Sequence, residues 1–345
     1  MSKYRFTYND AGIRVLFLNL LLGLLCFSTS AQDIHFSQFY LAPVQYNCAE
    51  TGIFNGDYRA GGAYRSQWSA VPVSYATTNL FGDFSKSKGK DRLGMGFVFN
   101  HDVAGDSRYG TSQFYIPFAY HFNLSQDSNL FFGIGIQPGI ANVGFRTNKL
   151  TFDSQYDGDA FNPGLSSGEN FSVLRRTYFD INSGIRLQYN LRQRSSLIFG
   201  LAYSHFNKPK ISFYKNDQIR LDPKLVSTFS FTYPIHRKVD LYIDGLLNSQ
   251  GKYRELVSGL RLSYRMSETI RSAVNAGVFL RTKDAILVVA GLEHKQWTFG
   301  LNYDINTSKF IAATQRRGAI EFALIYVFAK EKLFVPKKRA CPIYM

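Results

Sequence analysis

The chain reads as an all-β protein: a transmembrane, antiparallel, up-and-down β-barrel of about 14 strands. Three observations carry that reading. Apolar and polar residues alternate with period two over segment after segment. Aromatics and glycines are abundant, with 31 Phe, 22 Tyr and 28 Gly against two Trp in 345 residues. No apolar run after the first thirty or so residues reaches the ~18 residues of a spanning helix, and no apolar stripe of helical period stands out. Only helices and closed barrels satisfy their backbone in lipid, so a membrane protein without helical runs is expected to be a barrel.

The first residues read as an export signal. Lys3, Arg5 and Arg14 precede an apolar run from Val15 to Phe27, and Ser28-Thr29-Ser30-Ala31 supplies small residues, placing cleavage after Ala31. Cys26 raises a lipoprotein reading, which the bulky Leu25 before it disfavours. Cys48 and Cys341 then remain, and a disulfide between them, two free thiols or pairing with another chain are all open. The formal charge of +15 suits anionic lipid headgroups, lipopolysaccharide or an acidic partner; export argues against nucleic acid.

Residues 32–56 are expected to be a periplasmic N-terminal segment or a plug, 57–329 the barrel and 330–345 a periplasmic tail. Strands are expected at 57–68, 73–85, 90–101, 108–122, 128–146, 175–190, 194–206, 223–234, 237–248, 253–265, 270–282, 284–292, 295–304 and 317–329. In the tenth, Leu256, Leu260, Leu262 and Tyr264 oppose Glu255, Arg261 and Arg265; in the last, Ile320, Phe322, Leu324, Tyr326 and Phe328 oppose Glu321 and Ala323. A soluble sandwich also alternates. The connections favour the membrane barrel, with an exported lectin-like sandwich as a further reading, because the long ones follow strands 3, 5, 7 and 13 and the even-numbered ones are short. Outer-membrane barrels show this asymmetry, with long loops outside and tight turns on the periplasmic side.

Chemistry is sparse. Asp157-Gly158-Asp159 in the longest loop suggests calcium, but the spacing does not match an EF-hand. His35, His101, His121, His205, His236 and His294 stand singly, without zinc-site spacing. No nucleophile elbow or P-loop is present. No enzyme, metal or cofactor is expected. The inner-face charges Arg59, Arg92, Asp240, Asp244, Arg261 and Glu321 are expected to pair with one another, or to hold a plug or partner peptide.

The stretch Gln32-Asp33, His35-Phe36-Ser37-Gln38-Phe39-Tyr40 resembles the mature start of the PorP/SprF family of Bacteroidetes outer-membrane proteins. So do Pro43, Asn47, Ala49, Gly52, Phe54 to Arg59 and Tyr64-Arg65-Ser66-Gln67-Trp68. Further matches are Leu150-Thr151-Phe152, Asn162-Pro163, Glu169, Glu255-Leu256, Glu321, Tyr326 and Cys341-Pro342. Cys48 departs from the family, which typically has proline there. The resemblance implies a non-enzymatic barrel of the type IX secretion system. Such a barrel helps deliver or anchor secreted surface proteins, among them gliding adhesins, and associates with periplasmic ring components. It points to Phe36, Gln38, Tyr40, Pro43, Asn47, Arg59, Arg65, Gln67 and Trp68 as residues for partner binding or assembly. The competing reading is a passive, porin-like solute channel.

Overall fold

Period-two alternation and β-rich composition give a single sheet that closes on itself. A computed structural model describes residues 33–67, 75–127, 129–148, 150–214, 218–267, 271–308 and 315–328.

Its strands are β1 (Tyr58–Gln67), β2 (Tyr75–Lys88), β3 (Asp91–Ala104), β4 (Tyr109–Tyr115), β5 (Phe118–Asn123), β6 (Leu130–Gly144), β7 (Arg175–Arg192) and β8 (Ser195–Ser204). They continue as β9 (Lys224–His236), β10 (Val239–Gln250), β11 (Tyr253–Ser267), β12 (Ser272–Arg281), β13 (Ala285–His294), β14 (Trp297–Asn306) and β15 (Arg317–Phe328). Neighbours pair antiparallel, and β1 pairs with both β2 and β15, from Tyr58 opposite Phe328 to Gln67 opposite Ala319. That pairing seals the cylinder and leaves no sheet edge.

The expected strand 108–122 is divided into β4 and β5, which occupy one position in the wall, since both lie between β3 and β6. Pro117 has no N–H to donate to the ladder. The register is unbroken across the gap: Tyr115 faces Gly139 and Phe118 faces Ile136. The barrel therefore has 14 wall positions and one extra segment boundary.

The alternation sorts side chains as a barrel in lipid requires. On β11, Leu256, Leu260, Leu262 and Tyr264 are exposed on the outside, while Glu255, Val257 and Ser263 are buried inside. On β15, Ile320, Phe322 and Leu324 point outward, and Glu321, Ala323 and Ile325 are buried.

The two ends of the barrel differ. At the turn end, β2–β3, β7–β8, β9–β10 and β13–β14 are joined by tight turns at 89–90, 193–194, 237–238 and 295–296. At the loop end lie the connections 145–174, 205–223 and 307–316. The connection after β3 is shorter than expected, because β3 runs on to Ala104 and a turn closes between Gly105 and Arg108. The first two long loops are tied together. Ser172 and Val173 donate their amides to Phe213 O, and Phe145 packs edge-on against Phe171 and Phe213. In the longest loop, the Asp157 carboxylate accepts from the Asp159 and Ala160 amides, a local turn role.

Candidate functional site

The lumen is filled by the chain's own N-terminal segment. Phe36, Ser37, Gln38, Val44, Asn47, Cys48, Ala49 and Thr51 are buried within the ring of strands. Two local features shape this segment. Tyr46 Oη accepts from the Phe36 amide (2.6 Å) and donates to Phe36 O (2.9 Å), closing the stretch into a loop. Between them lies one helical turn, α1 (Pro43–Tyr46), which opens on Pro43. Proline fits there because its fixed φ is helical and its missing N–H is not needed. Asn47, extended at φ −148°, follows α1 and accepts from the Ala49 amide at 2.9 Å.

The segment has a direction. Its start lies toward the loop end, where Ile34 O accepts from Lys224 at the first position of β9. Its finish lies toward the turn end, where the Gly52 amide donates to Asp83 and Gly52 O and Phe54 O accept from Arg92. The chain thus runs through the lumen from loop end to turn end before turning back into β1.

At the loop end, an ion network grips Ser37. The Ser37 and Gln38 amides donate to the two oxygens of Glu321, at 2.7 and 2.8 Å. Ser37 Oγ accepts from Arg65 and, at 2.7 Å, from Arg281, and donates to Asp304 at 3.0 Å. Arg65 reaches Asp304 at 2.8 Å and Glu321 at 3.4 Å. Arg281 reaches Asp304 and Glu255, each at 2.9 Å. Buried charges are costly unless paired and fully hydrogen-bonded. Here two guanidinium groups face three carboxylates, and the plug's hydroxyl and amides add donors for the excess negative charge.

A second grip lies toward the turn end. Arg59 holds Asp83 through Nε (2.9 Å) and Nη2 (2.8 Å), while its Nη groups donate to Glu50 O and Ile53 O. Such a two-point pair fixes direction as well as charge. Phe54 caps the same guanidinium at 4.8 Å. Arg186 binds Glu50 at 2.9 Å and His121 Nε2 donates to Thr51 O at 2.9 Å.

Between the grips the wall is thin. A Cβ on Gly184 would lie 2.1 Å from Asn47 Oδ1, and one on Gly135 would lie 2.7 Å from the Cys48 carbonyl carbon. These strand glycines let the plug touch the barrel backbone. Burial in this contact pushes the Cys48 thiol up to about 12.

The family model for "Type IX secretion system membrane protein PorP/SprF" matches residues 28–326. The chain belongs to the PorP/SprF family. No curated protein matches the sequence. Among solved structures, the toluene transporter TbuX of Ralstonia pickettii is similar at a TM-score of 0.52 and 12% identity, over 84% of this chain and 94% of that one. The toluene transporter TodX of Pseudomonas putida is similar at a TM-score of 0.49 and 10% identity, over 86% and 95%. At these identities the likeness to TbuX is one of fold, a closed antiparallel barrel.

In this PorP/SprF barrel the residues singled out from sequence fall into three groups. Phe36, Gln38, Tyr40, Pro43 and Asn47 are plug residues; Tyr40 stacks on Phe279 and lies 4.2 Å under the Arg261 guanidinium. Arg59 and Arg65 are wall residues that hold the plug, and Gln67 ends β1, half-buried. Trp68 and Cys341 lie outside the described residues, so the Cys48–Cys341 pairing does too; Cys48 itself is a buried free thiol. Of the inner-face charges, Asp240 pairs with Arg194 and Arg265, and Asp244 with Arg261. Sequence reasoning missed Asp83, Arg281 and Asp304 as gripping residues. The signal for Asp304 was its shared parity with Asn302 and Asn306, opposite Leu301 and Tyr303.

Proposed function

We propose that the protein is an outer-membrane component of the type IX secretion system that helps deliver or anchor secreted surface proteins through protein–protein contacts. Its turn end faces the periplasm and the ring components of the machine, and its loop end faces the cell surface, cargo and lipopolysaccharide. In bacteria that glide, adhesins are the natural cargo. The observation that carries this reading is the family match across residues 28–326, joined to a lumen closed by the chain itself.

The plug favours docking over passive conduction, because an open channel needs a continuous water path. The plug residues would then serve assembly, holding the barrel in a shape that partners recognise. Arg65, Arg59, Phe36 and Asn47 act through the plug, and Gln67 at the loop end of β1, with Trp68 next in sequence, bears on assembly or on a partner.

The test is deletion of the gene, followed by quantitative comparison of cell-surface and medium proteins. One or a few secreted proteins are expected to leave the surface while the outer membrane stays intact. Unchanged surface proteins together with loss of small-solute uptake would favour the channel instead.

A further inference from the structure

We infer that the turn-end mouth of the barrel holds a binding pocket for an acidic peptide segment. This rests on the secretion reading above and specifies one partner contact within it. Around the start of the plug the lumen is packed: the gap beside Gln38, Tyr40 and Arg261 measures about 20 Å³, room for about one water. At the turn end a cavity of about 560 Å³ stays open between the exit of the plug and strands β2, β3, β5, β6 and β7. Lys90, Arg92, His121, Arg186, Gln188 and Asn55 line it.

Its charge is unbalanced. Elsewhere on the inner face Arg59, Arg65, Arg261, Arg265 and Arg281 each meet a carboxylate. In the pocket, Arg186 has Glu50, but Arg92 donates to the carbonyls of Gly52 and Phe54, and Lys90 donates to Gln126 O at 2.7 Å. Carbonyls satisfy hydrogen bonds without neutralising charge. The pocket's own acid, Asp91, is engaged by Tyr120 Oη and the Asn123 amide. An incoming carboxylate would find two cations without a carboxylate partner among the described residues, Arg92 half-buried and Lys90 exposed at the rim.

The pocket's position selects the ligand class. It lies inside the ring of strands, out of reach of lipid headgroups that touch the barrel's outer wall, and is deep enough for side chains of an extended peptide. The chain's own tail is a poor occupant by charge, since residues 330–345 carry Lys330, Lys332, Lys337, Lys338 and Arg339 against Glu331. A separate acidic segment fits.

The experiment uses the purified full chain in neutral detergent and fluorescein-labelled hexaglutamate, followed by anisotropy at low salt. Saturable binding is expected, about tenfold weaker in Lys90→Glu and in Arg92→Gln, with no binding of hexalysine. Among the described residues Lys90 donates to a turn carbonyl and to no plug atom, so Lys90→Glu leaves the plug's hydrogen bonds in place and reads the pocket even if Arg92→Gln loosens the plug. Hexaglutamate binding unchanged in both variants would overturn the inference. So would absence of hexaglutamate binding alongside Lys90-dependent capture by phosphatidylglycerol vesicles, which would assign these cations to lipid. In cells, full complementation of a deletion strain by both variants would remove this pocket while leaving the secretion reading intact. A deletion strain with normal surface proteins would remove the secretion reading itself.

Discussion

Glu321 and Ser37, 284 positions apart, are joined by a 2.7 Å hydrogen bond from the Ser37 amide to Glu321 Oε2. The other oxygen takes the Gln38 amide, so one carboxylate on the last strand holds two consecutive backbone donors of the plug. The same carboxylate balances Arg65. Glu321→Ala should therefore leave two plug amides without acceptors, while Arg65 keeps Asp304. A loss of about 2–6 kcal/mol follows from two buried donors left unsatisfied at about 1–3 kcal/mol each. It is read as a lower temperature for the heat-modifiable mobility shift of the barrel in gels. Glu321→Gln, which keeps an acceptor, should lose less.

Asp83 offers an independent check at the other grip. It binds Arg59 through both oxygens and takes the Gly52 amide at 2.7 Å. Asp83→Asn keeps the shape and removes the charge, so proteolytic cleavage between residues 50 and 58 should speed up several-fold in the detergent-solubilised barrel. Since the Glu321 grip lies near the opposite end, cleavage near Ser37 should not change.

The wall contact predicts an asymmetry between two glycines. Gly184→Ala places a methyl 2.1 Å from Asn47 Oδ1, whereas the nearest atom to a Cβ on Gly245 is 4.0 Å away. Gly184→Ala should displace α1 and the Asn47 turn; Gly245→Ala should behave as wild type. The comparison is made by alkylation of Cys48 in a background carrying Cys26→Ser and Cys341→Ser. Labelling should rise in the first variant and stay low in the second.

Much of this fold was legible because a barrel writes its pattern locally. Leu256, Leu260 and Leu262 against Glu255 reveal an inside and an outside without knowledge of the neighbouring strands. The ion network is different. Arg65 on β1, Arg281 on β12 and Asp304 on β14 meet across the lumen, and β12 is not a ladder neighbour of β14. No sequence period encodes such a meeting. The plug's direction was also hidden, since an aromatic, glycine-dotted stretch beside β1 can enter a lumen from either end. Pro117 shows the opposite case: a single residue whose missing donor interrupts a strand that the alternation carries straight through.

The Cys48 thiol should report the plug's state through pH. Its pKa is pushed up to about 12 by burial, so the thiol stays protonated from pH 7 to 9 and alkylates slowly across that range. A thiol released to water, with a pKa near 8.5, gains thiolate about tenfold for each pH unit up to that value and levels off above it. With Cys26 and Cys341 replaced by Ser, labelling that is slow and still climbing at pH 9 marks a seated plug, and fast labelling that levels off near pH 9 marks a released one. Fast labelling that levels off in this way in the otherwise unaltered barrel would contradict the burial.

Removing the plug should convert the barrel into a pore. Residues 34–55 fill the lumen, and the wall is sealed independently of them by the β1–β15 ladder. The intact protein in planar bilayers should show little steady conductance, and a variant lacking 34–55 should conduct if its wall still closes. Because Glu321, Asp304, Arg65, Arg281, Arg59 and Asp83 would then line the opening, its selectivity should respond to Glu321→Gln and Asp304→Asn by shifting toward anions. Steady large conductance in the intact protein would mean that the plug does not block the lumen, and the docking reading would lose its main structural support.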